Sequence, residues 1–227
     1  MSGSSSNQYV EVESFQQLVN KPFAGKVNAM CWLRDLEGDF EEVARKIVLK
    51  EAVTLITEAD LQALELSLGG QKAREIILQD LKLLSDFGAD PVLNLIKNYE
   101  EDDFFFSTDV YSWHVDRSPI ATDTFLCTYF AESSEIIPND QAIQKVLNPE
   151  WRERLLKLYD GPEEGFGEFL EENYFDLHYQ ALPSASPKRL GHGHLWRLAT
   201  DNPQSPVLPC IHRAPREMGG LRLLLIC

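Results

Sequence analysis

A histidine and an aspartate two positions apart, His114 and Asp116, are the residues best placed in the sequence to bind a metal ion. Aromatic and β-branched residues surround them, which favours an extended strand. Because successive side chains of a strand point to opposite faces, His114 and Asp116 share one face. An imidazole and a carboxylate on one face can hold the same metal ion. A His-x-Asp motif alone is a weak signal, since it also occurs by chance.

A second histidine, His212, strengthens the metal hypothesis. Two histidines and one carboxylate form the facial triad that leaves coordination positions open on Fe(II) for oxygen chemistry. The alternative for His212 is a structural histidine that is buried and bonded to the backbone. The residues that follow it favour the metal interpretation, because they end in an apolar strand that carries one charged side chain.

That charged side chain is Arg222, which lies in the apolar run Leu221 to Ile226. In a strand, Arg222 shares a face with Leu224 and Ile226. Burying an unpaired guanidinium is very costly, and a bound dicarboxylate would supply a bidentate partner. The alternatives are an edge position with the head group in water, or an internal pair with an acidic side chain.

The spacing of these residues resembles a known signature. His114-x-Asp116, His212 and then Arg222, 222 − 212 = 10 positions later, resemble the Fe(II)/2-oxoglutarate-dependent dioxygenase superfamily. More narrowly, the runs WHVDRSPIATDTFLCTYFAESSEIIPN and IHRAPREMGGLRLLLI resemble a domain-of-unknown-function branch of that superfamily. The likeness covers residues 104–227, whereas the N-terminal half is similar only around NAMCWLRDLEGDFEEVARKI.

The resemblance implies a double-stranded β-helix, the jelly roll that is shared with cupins. It also implies that His114, Asp116 and His212 are the catalytic iron ligands, and that Arg222 binds the distal carboxylate of the cofactor 2-oxoglutarate.

This chain departs from the pattern in one place. Many members have Ser or Thr two residues beyond the arginine, where this chain has Leu224. Tyr129, on the strand after the His-x-Asp segment, is predicted to supply the missing hydroxyl to the co-substrate. The alternative is that Tyr129 is a packing residue. Thr128 faces the other side of that strand.

The remaining histidines are assigned no metal. His192 and His194 flank Gly193, and we interpret them as the beginning of a strand with a glycine turn rather than a second metal site. His178 is alone in the sequence and is predicted to be structural.

The chain has 227 residues, with a hydrophobic share of 44% and a charged share of 25%, as in ordinary globular proteins. Its formal net charge of −15 repels phosphate backbones and anionic lipid surfaces. We therefore expect no nucleic-acid partner and no membrane partner. Four widely separated cysteines, with no CxxC pair and no secretory leader, predict a cytoplasmic protein.

The predicted organisation is α+β: a flexible tail over residues 1–7, then one domain over residues 8–227. Residues 8–103 are expected to be mainly helical, and residues 104–227 to form the jelly-roll core with a helical insertion at 148–174, which could act as a lid. The periodicity predicts helices over 38–52, 57–66, 73–84 and 90–99, and strands over 27–33, 104–116, 122–130, 195–200 and 221–226.

The function predicted from these residues is that of an Fe(II)/2-oxoglutarate-dependent dioxygenase. It would use O2 to hydroxylate a small molecule or an amino-acid side chain, and release succinate and CO2. One alternative is a cupin-like metal-binding or sensory protein without turnover. Another is a structural jelly roll whose helical half binds a partner protein. The sequence identifies neither the primary substrate nor the oligomeric state.

Overall fold

The computed structural model describes residues 8–216 and 219–227, which form a mixed α+β structure built on two sheets. The strands are β1 Tyr9–Val12, β2 Ala29–Trp32, β3 Val53–Ile56, β4 Val92–Ile96, β5 Trp113–His114, β6 Asp123–Phe130, β7 Glu135–Ile137, β8 Ala142–Gln144, β9 His178–Ala181, β10 Lys188–Arg189, β11 Leu195–Ala199, β12 Ile211–Arg213 and β13 Arg222–Ile226. The helices are α1 Phe15–Asn20, α2 Phe40–Lys46, α3 Glu58–Gln62, α4 Leu68–Phe87, α5 Pro149–Leu158 and α6 Phe166–Glu172, and short 3-10 turns lie at Asn139–Gln141, Lys145–Leu147, Glu163–Gly165 and Phe175–Leu177.

The larger sheet has seven strands in the order β1-β2-β11-β6-β13-β4-β3, and the smaller has six in the order β10-β7-β12-β5-β9-β8. β1 pairs with β2 in parallel, and the other named strand pairs are antiparallel. From β4 onward the chain passes repeatedly from one sheet to the other. Neighbouring strands within each sheet therefore come from distant parts of the sequence.

Strand β6 lies inside the larger sheet and is buried on both faces. Phe125 and Cys127 pack into a core that is shared with the helices, as does Tyr129. Leu126 packs instead between the sheets, with Ile136 of β7 and other apolar residues. The larger sheet thus separates two cores, a helical one and an inter-sheet one.

Helix α4 supplies much of the helical core. Its N-cap Ser67 accepts a hydrogen bond from the Gly70 N–H, and it ends at Gly88, whose φ of 99° suits glycine. It buries Ala73, Ile77, Leu81 and Leu84, and it extends beyond both ends of the helix predicted over 73–84. Thr57 and Asp60 form a reciprocal capping box that begins α3, which is shorter than the helix predicted over 57–66.

Two predicted elements are wrong. The helix expected over 90–99 is strand β4, because a short apolar run with both faces buried cannot be told from a buried helix by periodicity. The strand expected over 104–116 is limited to Trp113–His114. Residues 8–103 also contain four strands of the larger sheet, so they are not simply helical.

Other predictions are confirmed. The strands expected over 27–33, 122–130, 195–200 and 221–226 correspond to β2, β6, β11 and β13. The insertion at 148–174 contains helices α5 and α6, which pack around Phe106 in an aromatic-rich cluster with Leu155 and Phe166. None of the helices in the described ranges has both the length and the apolar character that a membrane span requires.

Candidate metal centre

Strand pairing brings the two predicted histidine ligands together. His114 of β5 lies directly opposite His212 of β12, and their ring centroids are 4.5 Å apart. One donor atom from each of His114, Asp116 and His212 can be chosen so that all three atoms lie within 4.8 Å of one another. His212 is buried, and the other two are partly exposed. The three side chains therefore form a compact cluster at the inner face of the smaller sheet.

Backbone carbonyl groups orient both imidazole rings. The Nδ1 atom of His114 lies 2.7 Å from the carbonyl oxygen of Ser112, and that of His212 lies 3.1 Å from the carbonyl oxygen of Cys210. Since a carbonyl oxygen only accepts hydrogen bonds, Nδ1 carries the proton in each ring, and Nε2 carries the lone pair. Metal-binding histidines are commonly held in this way from behind.

Asp116 lies just beyond the end of β5, and contacts outside that strand fix its position. Its carbonyl oxygen accepts a hydrogen bond of 2.7 Å from the Asp201 N–H. Its carboxylate accepts a hydrogen bond from the Thr124 hydroxyl of β6, which crosses from the larger sheet. Its Oδ2 atom lies 3.5 Å from Nε2 of His212. The carboxylate is thus aimed at the lone-pair side of the imidazole.

The protonation states at the cluster suit a cation. Burial, with a smaller contribution from the charge of His212, lowers the pKa of His114 to about 4, so this imidazole is neutral near pH 7. Burial alone would raise the pKa of Asp116, but His212, the Thr124 hydroxyl and His114 together bring it below its ordinary value. A neutral imidazole beside an ionised carboxylate is the form in which these groups bind metals.

Arg222 is buried in the inter-sheet core, with 1% of its surface exposed. It lies in β13, between β6 and β4, so the alternative of an edge position does not hold. Its Nη2 atom donates a hydrogen bond of 2.7 Å to the Ser134 hydroxyl. Ser134 directly precedes β7, where Ile136 pairs with His212. The guanidinium therefore reaches the smaller sheet on the His212 side of the cluster.

The prediction that Tyr129 contacts the co-substrate is wrong. Its hydroxyl donates a hydrogen bond of 2.6 Å to Asp80 of α4, and its ring stacks on Phe40 with centroids 5.3 Å apart. These contacts place Tyr129 in the helical core, on the face of β6 that points away from Arg222. Alternation from Leu126, which faces the other sheet, agrees with this orientation, and the register between β6 and β13 shifts between Leu223 and Leu224.

No protein-family model and no curated protein sequence matches this chain. The donor set and its surroundings therefore carry the functional argument. Two imidazole nitrogens and one carboxylate oxygen suit Fe(II), and the same set is also acceptable to Zn(II). The cluster fits a divalent metal on three observations: convergent donors, backbone-fixed rings and an ionised carboxylate.

Two residues near the cluster were not identified from the sequence as functional. Thr128 pairs with Leu224 across β6 and β13, is 1% exposed, and its hydroxyl has no hydrogen-bond partner among the described residues. His178 pairs with His114 across β9 and β5, with ring centroids 6.1 Å apart. Strand alternation puts Thr128 and Tyr129 on opposite faces of β6, and this could have identified Thr128 from the sequence. His178 has no local signal, because its position depends on a pairing between distant segments.

Proposed function

We propose that this protein is an Fe(II)/2-oxoglutarate-dependent oxygenase that hydroxylates a small molecule or an amino-acid side chain, with release of succinate and CO2. The observation that carries the proposal is the cluster of His114, Asp116 and His212, with donor atoms within 4.8 Å of one another. Both histidines have Nδ1 bound to a carbonyl group, which leaves Nε2 for the metal.

The strand order supports a double-stranded β-helix as the underlying fold. Strands β4, β6, β11 and β13 are neighbours in the larger sheet, and β5, β7, β10 and β12 are neighbours in the smaller one. Along the chain these strands alternate between the sheets except at β7 and β10, which are both in the smaller sheet. A jelly roll made of two Greek keys has this pattern. The ligands then come from an early strand and a late strand, and Arg222 from the last.

Arg222, Ser134 and Thr128 would form the pocket for the distal carboxylate of 2-oxoglutarate. Arg222 offers a buried planar guanidinium, and Ser134 holds it in place through Nη2. Thr128 lies directly across from Leu224, the position where a hydroxyl is missing relative to the resembled superfamily. Its unpartnered hydroxyl, on the same face as Arg222, replaces Tyr129 as the group that completes the pocket.

The side chains of the cluster have distinct tasks. His114 and His212 would bind the metal through Nε2, and the Asp116 carboxylate would offset part of its charge while the Thr124 hydroxyl holds that carboxylate in position. Bound Fe(II) would supply O2 activation coupled to oxidative decarboxylation of the co-substrate. Apolar residues of the inter-sheet core, such as Leu126 and Ile136, would limit the access of water to the reacting groups.

The test is the substitution Arg222→Lys, read out by anaerobic titration of the visible charge-transfer band of the Fe(II) and 2-oxoglutarate complex. Lysine keeps the charge but loses the planar fork. We expect 2-oxoglutarate affinity to fall by about 1.5–3 kcal/mol, the value of one hydrogen bond to a charged group. Iron content, measured in parallel, should not change.

The matched control is Arg213→Lys. Arg213 follows His212 directly but points to the other face of β12, where it pairs with Glu135 at 2.7 Å. Its substitution should leave the band titration as in wild type. An unchanged titration in Arg222→Lys would overturn the assignment of the pocket. A wild-type protein that binds iron but never develops the band would instead be a metal-binding protein without turnover.

A further inference from the structure

A row of side chains on the inner face of the smaller sheet extends past the cluster of His114, Asp116 and His212, called the metal cluster below. Ile136 pairs with His212, His212 with His114, and His114 with His178. Side chains that are paired across neighbouring strands share a face. Arg222 reaches this row near Ile136, so His178 lies at the opposite flank, beyond His114. The row therefore has the Arg222 side at one end and His178 at the other.

His178 is a buried polar side chain whose hydrogen-bonding capacity is not satisfied within the described residues. It is 8% exposed, and its Nδ1 atom has no hydrogen-bond partner in the described part of the chain. The imidazole in this position can donate one hydrogen bond to a ligand beside the metal.

Lys145 places a cation next to the same flank. It is 8% exposed, and its Nζ atom donates hydrogen bonds of 2.6 Å to the Ser107 carbonyl and to the Ser112 hydroxyl. Both acceptors are neutral, and no described carboxylate lies within ion-pair distance of Nζ. The Ser112 carbonyl in turn accepts from His114, so the ammonium belongs to the surroundings of the metal cluster.

A buried ammonium without an ion pair is expensive, and a structural tie between two loop residues does not require a charge. Two of the three N–H donors of the ammonium group are used here, and Nζ also lies 5.7 Å from the centre of the Phe106 ring. An anionic ligand would supply the missing charge and accept hydrogen bonds from both Lys145 and His178.

We infer that Lys145 and His178 form the recognition site for a carboxylate group of the primary substrate, on the side of the metal opposite Arg222. The primary substrate is then a carboxylic acid, such as a free or N-acylated amino acid or a hydroxy acid. The role of this site in turnover rests on the proposed function, but the binding of the carboxylate does not.

The experiment uses Zn(II)-loaded full-length protein, which holds the ligands in place without turnover. Free and N-acetylated amino acids and short hydroxy acids are titrated by calorimetry, each beside its uncharged amide. N-oxalylglycine, an inert analogue of 2-oxoglutarate, is added to half of the samples to fill the Arg222 pocket. We expect at least one acid to bind ~10-fold or more tightly than its amide, with and without the analogue.

The variants Lys145→Gln and His178→Gln should each lower the affinity for that acid at least ~10-fold and leave the affinity for the amide unchanged. Lys145→Arg, which keeps the charge, should retain most of the affinity, and circular dichroism checks that every variant is folded. A merely structural lysine would give equal acid and amide binding in all variants, which overturns the inference. So would a wild-type protein that binds no acid of the panel.

Two failures remain distinguishable. If N-oxalylglycine displaces the acid, the acid occupies the Arg222 pocket, and the inference is overturned while the proposed function stands. If the charge-transfer band is absent but the acid binds in the arm without the analogue and depends on Lys145, the oxygenase proposal fails and the carboxylate site stands.

Discussion

The polar side chains on the two faces of strand β6 differ in whether they have hydrogen-bond partners. On the helical face, the Tyr129 hydroxyl and the Arg34 guanidinium both bind Asp80, at 2.6 Å each. The remaining donors of Arg34 reach the Gly193 carbonyl and the Cys127 sulfur. On the inter-sheet face, the hydroxyl of Thr128 has no partner among the described residues. On the helical face these polar groups form one hydrogen-bonded network, which we call the closed network, whereas the hydroxyl of Thr128 on the inter-sheet face belongs to none.

The difference separates stability from function. A buried polar network with every member bonded rigidifies the structure around it. A buried polar group without a partner costs free energy in the unliganded protein, and a bound ligand can recover that cost. Of the two incomplete groups, His178 pairs with His114 of the cluster, and Thr128 pairs with Leu224 on the face of the larger sheet that carries Arg222. The closed network of Asp80 holds helix α4 against the sheet that carries Thr128 and Thr124.

The largest effect is expected from breaking the closed network with Asp80→Ala. Arg34 would remain as a buried charge without its partner, since only 8% of its side chain is exposed. Removing one member of a buried ion pair costs about 3–5 kcal/mol of stability. Urea unfolding measures this change in the free energy of unfolding. Zn(II) affinity of the folded protein should not change.

The control for Asp80→Ala is Asp86→Ala in the same helix. Asp86 pairs with Lys82 at 2.7 Å in a fully solvated setting, where an ion pair is worth roughly 0–1 kcal/mol. If the two substitutions destabilise the protein equally, the network beneath β6 has no special structural role.

The next effect concerns the metal itself. His212→Ala removes a proposed ligand, whereas loss of a hydrogen-bond partner behind a ligand already costs ~10–100-fold in metal affinity. We therefore expect Zn(II) or Fe(II) affinity to fall by more than about 100-fold in an anaerobic titration. His178→Ala is the matched control, because His178 shares the row but lies outside the group of converging donors. Equal metal loss in both variants would show that His178 is itself a ligand.

The sequence predicted the convergence of His114, Asp116 and His212 better than the surroundings of these side chains. Alternation predicted that His114 and Asp116 share a face, but Asp116 lies beyond the end of β5 and is positioned by the Thr124 hydroxyl and the Asp201 backbone. The approach of His212 depends on the pairing of β12 with β5, across nearly a hundred positions of the chain (212 − 114 = 98). Residue types and their resemblance to a known signature suggested that pairing, but no local rule contains it.

Tyr129 and Thr128 show the limit of pattern reasoning most clearly. Alternation correctly placed their side chains on opposite faces of one strand. It could not decide which face meets the cluster of His114, Asp116 and His212, because the residues of β6 from Thr124 to Tyr129 are buried on both faces. The same ambiguity explains why β4 was expected to be a helix. In both cases tertiary packing, rather than local sequence, decides the outcome.

The smallest predicted effect is the sharpest test of the comparison between the two faces, since it uses adjacent residues of β6. Thr128→Val keeps the shape of the side chain and removes only its hydroxyl. Because that hydroxyl is buried without a partner, its removal should leave the free energy of unfolding unchanged or slightly higher. It should weaken the binding of 2-oxoglutarate by about 1.5 kcal/mol, the low end of the range for a hydrogen bond to a charged group.

Tyr129→Phe should do the reverse. It removes the bond to Asp80 and should destabilise folding by ~0.5–1.5 kcal/mol, with no change in 2-oxoglutarate affinity. Urea unfolding and the charge-transfer titration, applied to both variants, measure the four quantities. Since the residues are neighbours, a general disturbance of β6 would affect both measurements in both variants. The assignment of Thr128 to the co-substrate pocket fails if its valine variant binds 2-oxoglutarate like wild type, or if Tyr129→Phe gives the larger loss of affinity.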